Sequence, residues 1–333
     1  MNWFFIFCSL LLPLTVAQAQ PTRPLLTRTI QLPAELADRE NQFSGLCTYR
    51  GQLLLLSESR LQEQAEAKVY GFALPDLDRQ LAGSTAALSF RKYTIRGLSQ
   101  ARARIDRTAP IYEGLEAVAV LRDTLYFSIE TVTPAPNCYL VRGVLDESQS
   151  VVQLDSSYLL ALPKPRLPDG SSAYNAGFEA LASYRNRELL ALFEYNYLAR
   201  GNSAVALRDA RSRFVLLPPV PFRVTDLTPT GRRRFTAINY FFNGASDAVY
   251  RMASPDPNAR LVLDSAGRYQ HYSRLISLRY TRHGIKWKPL LTLPVEYQTF
   301  NWEGLAAYKG GYFLINDKYG PSSQSTLLYL RRQ

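Results

Sequence analysis

One pattern recurs five times along the chain, and such a repeat limits the fold more than any other feature a sequence can carry. It reads Phe43-Ser-Gly-Leu46 leading to Leu53-Leu-Leu-Leu-Ser-Glu58, and Tyr112-Glu-Gly-Leu115 leading to Leu125-Tyr-Phe-Ser-Ile-Glu130. It returns as Phe178-Glu-Ala-Leu181 leading to Leu189-Leu-Ala-Leu-Phe-Glu194, and as Val224-Thr-Asp-Leu227 leading to Phe235-Thr-Ala-Ile-Asn239. The fifth copy is Trp302-Glu-Gly-Leu305 leading to Tyr312-Phe-Leu-Ile-Asn-Asp317. Each copy is a short strand, a turn, a strongly apolar strand and then an acid or amide. At least one further β-like run follows, such as Lys68–Ala73, Cys138–Arg142 or Ser273–Tyr280, and many copies add a fourth, such as Val151–Leu154. Alternating and β-branched runs between turn residues dominate, and no long stretch keeps a 3.6-residue apolar period.

Four strands per unit repeated about an axis describes a β-propeller, so the expected fold is all-β with five four-stranded blades. A sixth, degenerate blade fits in the long fourth interval, which holds further β-like pieces such as Leu261-Val-Leu263. The run Thr27–Pro33 precedes the first copy, while the last copy ends one strand short near Leu330. The N-terminal strand is therefore expected to complete the final blade and cover its edge. Each blade buries its faces only against its neighbours, so residues 20–333 form one domain.

The chain has 333 residues, of which 47% are hydrophobic, enough for a packed core without disulfides. Three cysteines (Cys8, Cys47, Cys138) and two histidines (His271, His283) exclude multi-histidine metal sites and Cys/His zinc spacing. Residues 1–19 are an uncharged apolar run ending Ala17-Gln-Ala19, read as a cleaved export signal that places the mature protein in the periplasm or outside the cell. No other run is long enough to span a membrane. The formal net charge of +11 favours small anionic ligands and anionic surfaces. Nucleic acid is not expected without a recognisable binding motif, and a monomer is expected. Arg232-Arg-Arg234, the densest cationic run, falls at a turn between strands and reads as solvated.

Asn301-Trp-Glu-Gly-Leu-Ala-Ala307 with Leu314-Ile-Asn-Asp317, Asn175-Ala-Gly-Phe-Glu-Ala-Leu-Ala182 with Phe193-Glu194, and Tyr112-Glu-Gly-Leu-Glu116 resemble the recurrent motifs of the phytase-like propeller family, described as having esterase-like activity. The likeness runs from about residue 40 to residue 320. Copies one and four depart from it, with Ser44 and Thr225 where the acid stands elsewhere. The resemblance implies a secreted propeller and a metal-dependent ester or phosphoester hydrolase, and names no substrate.

The residues give a parallel reading. First strands line a propeller's central channel, so Glu113, Glu179 and Glu303 are expected to converge there as catalytic candidates. Glu58, Glu130, Glu194, Asn239, Asn316 and Asp317, one strand later, form a second tier of candidate metal ligands. Crowded carboxylates raise one another's pKa unless a cation neutralises them, and an all-oxygen set suits Ca²⁺. Structural bracing by Arg partners is the competing account, because the chain holds 32 Arg and 7 Lys. Glu116 is expected to point sideways from its strand. Two functions stay open: a Ca²⁺-dependent hydrolase, and a non-catalytic exported propeller that binds a glycan, peptide or envelope component.

Overall fold

The computed structural model describes residues 24–58, 67–197, 203–209, 211–317 and 324–333, without the side chains of residues 39 and 245–247. The export signal expected at residues 1–19 lies outside them.

Strand β1 (Leu25–Ile30) precedes a first meander of β2 (Phe43–Tyr49), β3 (Gln52–Ser57), β4 (Lys68–Ala73) and β5 (Arg91–Arg96). The second is β6 (Tyr112–Leu121), β7 (Thr124–Thr131), β8 (Asn137–Asp146) and β9 (Val151–Leu154), with β10 (Leu160–Pro163) added beside β8. The third is β11 (Ala180–Tyr184), β12 (Glu188–Leu192), β13 (Ala204–Arg208) and β14 (Arg211–Phe214). The fourth is β15 (Leu227–Gly231), β16 (Arg234–Phe241), β17 (Tyr272–Thr281) and β18 (Gly284–Thr292). In the last, β19 (Trp302–Tyr308), β20 (Gly311–Asn316) and β21 (Leu327–Arg332) are completed by β1, which pairs antiparallel with β21 from Leu25↔Arg332 to Ile30↔Leu327. The first and second meanders join into one sheet through a parallel β5–β9 pair.

The first strands meet in a closed cycle: β2 contacts β6, β6 contacts β11, β11 contacts β15, β15 contacts β19, and β19 returns to β2. The apolar core follows the same order, because each cluster lies between neighbouring meanders. Leu54, Leu56, Leu125 and Phe127 fill the gap between the first and second; Ile238, Leu275, Trp302 and Leu314 fill that between the fourth and fifth. This is a β-propeller, the inner strands of each sheet packed between those of its two neighbours. Close approach at the axis needs small residues. A Cβ on Gly304 would lie 2.5 Å from Ile315 Cγ2 and 2.8 Å from Leu46 Cγ.

Two departures from the sequence reading are local. Leu74–Leu81 and Leu98–Ile105 are eight-residue helices. The former starts with proline in its first turn and buries Leu77 between polar neighbours, a motif too short for periodicity to show. Ala259–Val262 is a helical turn, so part of the run expected as an extra strand is helical, and only Leu263 bridges to Tyr269. Cys47 and Cys138 are both free thiols. Among the described residues no helix is long and apolar enough to cross a membrane.

Candidate metal and catalytic site at the channel mouth

Two acids of the repeat, Glu113 and Glu303, stand at β-bulges. Register shifts between Phe43 and Gly45, Tyr112 and Gly114, and Trp302 and Gly304 make Ser44, Glu113 and Glu303 the extra residue opposite the second strand. An inserted residue is released from strict alternation and its side chain re-aimed. Strand β6 carries a second bulge between Leu115 and Ala117, whose extra residue is Glu116. This corrects the expectation that Glu116 points sideways. A period-2 argument cannot foresee a bulge that resets the period.

The result is a carboxylate trio: Glu116, Glu130 and Glu179 each place one carboxylate oxygen within 4.8 Å of the other two. Glu130 is 2% exposed, and its Oε1 is buried with no hydrogen-bond partner. Its stem lies over Gly177, where a Cβ would come within 3.3 Å of the Glu130 Cβ. Burial, then the charges of Glu116 and Glu113, hold the Glu130 carboxyl well above the usual carboxylate range, with Lys164 opposing. Lys164, buried and donating its Nζ to Thr131 O at 2.5 Å, is a neighbour the repeat pattern did not reveal, since it stands outside every copy. Glu179 is raised by burial, then by Glu194 and Glu303 on one side and Glu130 and Glu116 on the other, so it joins two groups of acids.

The second group is partly braced. Glu194, fully buried, is paired with the Arg223 guanidinium, which lies 4.6 Å from the Tyr250 ring centre. Glu303 accepts from Tyr240 Oη at 2.8 Å, and Asn301 Nδ2 donates to Asp317 Oδ2 at 3.4 Å. Burial, then Glu194 and Asp317, raise the Glu303 pKa against the Tyr240 hydrogen bond and the Arg223 charge.

The remaining candidates divide. Glu58 reaches across to the second meander, where a Cβ on Gly114 would meet its Oε1 at 2.6 Å. Asn239 is committed elsewhere: its Nδ2 donates to Pro221 O and Arg223 O, and its Oδ1 accepts from Arg274 Nε at 2.7 Å. Asn316 Oδ1 accepts from Thr326 N, beside the start of β21, while its buried Nδ2 has no hydrogen-bond partner.

Where the repeat lacks an acid, hydroxyls fasten the ring. Ser44 Oγ donates to Leu115 O and Thr225 Oγ1 to Trp302 O, each at 2.7 Å and each to the first strand of the following meander. Asp226, in the position held by Gly45, Gly114, Ala180 and Gly304 in the other copies, is fully buried. Its carboxylate accepts the backbone N–H of Leu227 at 2.7 Å, Leu305 at 2.6 Å and Leu46 at 3.3 Å, and so links three meanders.

No family model matches the chain, and no curated protein does. Solved structures do. A glucose dehydrogenase has 12% identity and a TM-score of 0.45, the alignment covering 91% of this chain and 98% of that one. The soluble aldose sugar dehydrogenase of Escherichia coli in its apo form has 10% identity and a TM-score of 0.44, covering 93% and 100%. The GH43_1 enzyme of Xanthomonas citri complexed with xylotriose has 10% identity and a TM-score of 0.48, covering 90% and 89%. At these values the likeness assigns neither activity nor substrate to this chain.

Proposed function

We propose that the chain is an exported, phytase-like propeller that hydrolyses an ester or phosphoester at the acidic mouth of its channel, with a hard divalent cation, Ca²⁺, held there. The observation that carries this reading is the buried Glu130 carboxylate, whose Oε1 has no hydrogen-bond partner and which places an oxygen within 4.8 Å of the Glu116 and Glu179 carboxylates. Leaving a buried acceptor unsatisfied among like charges is costly, and an oxygen-coordinated cation offsets that cost. Glu116, Glu130 and Glu179 would hold the ion. When bound it polarises a carbonyl or phosphoryl oxygen.

The chain's own groups divide the remaining work. Glu303, whose carboxyl burial holds above its usual range and which accepts from Tyr240 Oη, is the candidate to pass a proton to a departing oxygen. Arg223 holds Glu194 in place and adds positive charge beside Glu303, where a developing anion would be favoured. Glu113, at the first bulge of β6 and close enough for its charge to act on Glu130, is the candidate to orient an attacking water.

The test is a panel of aryl esters and aryl phosphates assayed with Ca²⁺ and with chelator. Hydrolysis that needs Ca²⁺ and is lost in Glu130→Gln supports the reading. Absence of turnover with Ca²⁺ bound favours the non-catalytic exported binder, to which the first and fourth meanders lend support, because Ser44 and Thr225 stand there where the other copies carry Glu113, Glu179 and Glu303.

A further inference from the structure

The turns joining the first and second strands lie at the end of each hairpin opposite the acids, and all five carry a cation: Arg50, Arg122, Arg185, the Arg232–Arg234 run and Lys309. In the outer two of these the charge has a partner. Arg50 lies 3.5 Å from Asp123, and Lys309 Nζ lies 2.8 Å from Asp78. The seam between the third and fourth meanders differs. There Arg185, Arg232, Arg233, Arg234 and Arg279, with Thr230 and Gly231, line an open cleft of about 510 Å³. Among the described residues none of these five arginines forms an ion pair.

Strand register sharpens the contrast. Arg234 stands directly opposite Arg279, and Arg279 directly opposite Lys286, so three exposed cations sit side by side across β16, β17 and β18. Like charges directly opposite on a sheet are destabilising, and at strand spacing they form a row with a step of about 4.8 Å. A chain gains nothing in stability from such a row, and screening by salt removes only part of its repulsion. The row and the cleft instead offer guanidinium forks, which match oxyanions in pairs.

We propose that this seam binds a linear polyanion of the acidic-polysaccharide class, its successive sulfate or carboxylate groups lying along the Arg234–Arg279–Lys286 row and entering the cleft. A linear ligand fits because the cations are arranged in a line. A polymer without bases fits because no aromatic ring lines the cleft, so nucleobases would find no aromatic platform there. This site is separate from the acidic mouth and does not depend on the hydrolase reading.

The experiment is a titration of the full protein with dextran sulfate at several salt concentrations. Binding should weaken steeply with salt, as counterion release requires. Arg234→Gln with Arg279→Gln should weaken it about tenfold or more, and Arg232→Gln with Arg233→Gln, confined to an exposed turn, should weaken it in the same direction. Arg50→Gln with Lys309→Gln and Glu130→Gln should leave it within about twofold. Three results would overturn the proposal: no binding at low salt, equal weakening by the Arg50/Lys309 pair, or a single-stranded oligonucleotide that binds as tightly and is lost with the same seam variants.

Discussion

The first and fourth meanders and the second, third and fifth share one repeat but use its key position in opposite ways. In the former, Ser44 and Thr225 donate hydrogen bonds to the next meander, and Asp226 gathers three backbone N–H groups at the axis. In the latter, Glu113, Glu116, Glu130, Glu179 and Glu303 crowd into a region where Glu130, Glu179 and Glu303 are all held well above the ordinary carboxylate pKa, by burial before anything else. One group satisfies the backbone, although burial raises the Asp226 carboxyl against its three backbone hydrogen bonds, and the other crowds carboxylates against one another. A ring can bear the second because the first ties it together, which is how sites that cost stability persist.

That contrast predicts substitutions of opposite sign. The largest effect is expected at Asp226. Its replacement by Ala leaves three buried N–H groups without an acceptor and should lower stability by about 3 kcal/mol or more, measured by urea unfolding, with or without Ca²⁺. A loss near zero would break the division between fastening and functional copies.

The next effect is on pH dependence. For Glu130, Glu179 and Glu303 the folded pKa lies above the unfolded value, so the native state holds protons that the unfolded chain has released. Cation-free protein should therefore be most stable below about pH 4.5 as far as these groups are concerned, and should lose stability as pH rises toward and through the raised values. Glu130→Gln should flatten that decline and raise the melting temperature of cation-free protein near pH 7. A lower melting temperature would mark Glu130 as a brace.

The smallest effects are expected at Ser44→Ala and Thr225→Val. Each removes one cross-meander hydrogen bond and should cost about 1 kcal/mol, with no change in the response to cation. A change in that response would show that the two kinds of copy are coupled.

The repeat made the fold legible because apolar strands, turns and terminal acids recur in register, and even the closure by residues 25–30 follows from a last copy lacking one strand. The site was legible only in part. Glu130 and Glu179 stood out by position, whereas Glu116 depended on a bulge and Lys164 on a segment outside the repeat. Asn239 matched the pattern yet serves to hold Arg274 and the 221–223 backbone, a role set by a neighbouring strand that no repeat alignment shows. Asp226 stands where the other copies hold three glycines and an alanine, and its role depends on the axis at which Leu46 and Leu305 present their N–H groups, which the repeat alone does not show.

Thermal unfolding across a Ca²⁺ titration tests the central claim most directly, run on demetallated parent protein and on Glu130→Gln with Glu179→Gln. The parent should gain about 2.7 kcal/mol when free ion exceeds its dissociation constant a hundredfold, while the double variant, more stable without the ion, should show no gain. A parent melting curve that does not move with Ca²⁺ would contradict the account.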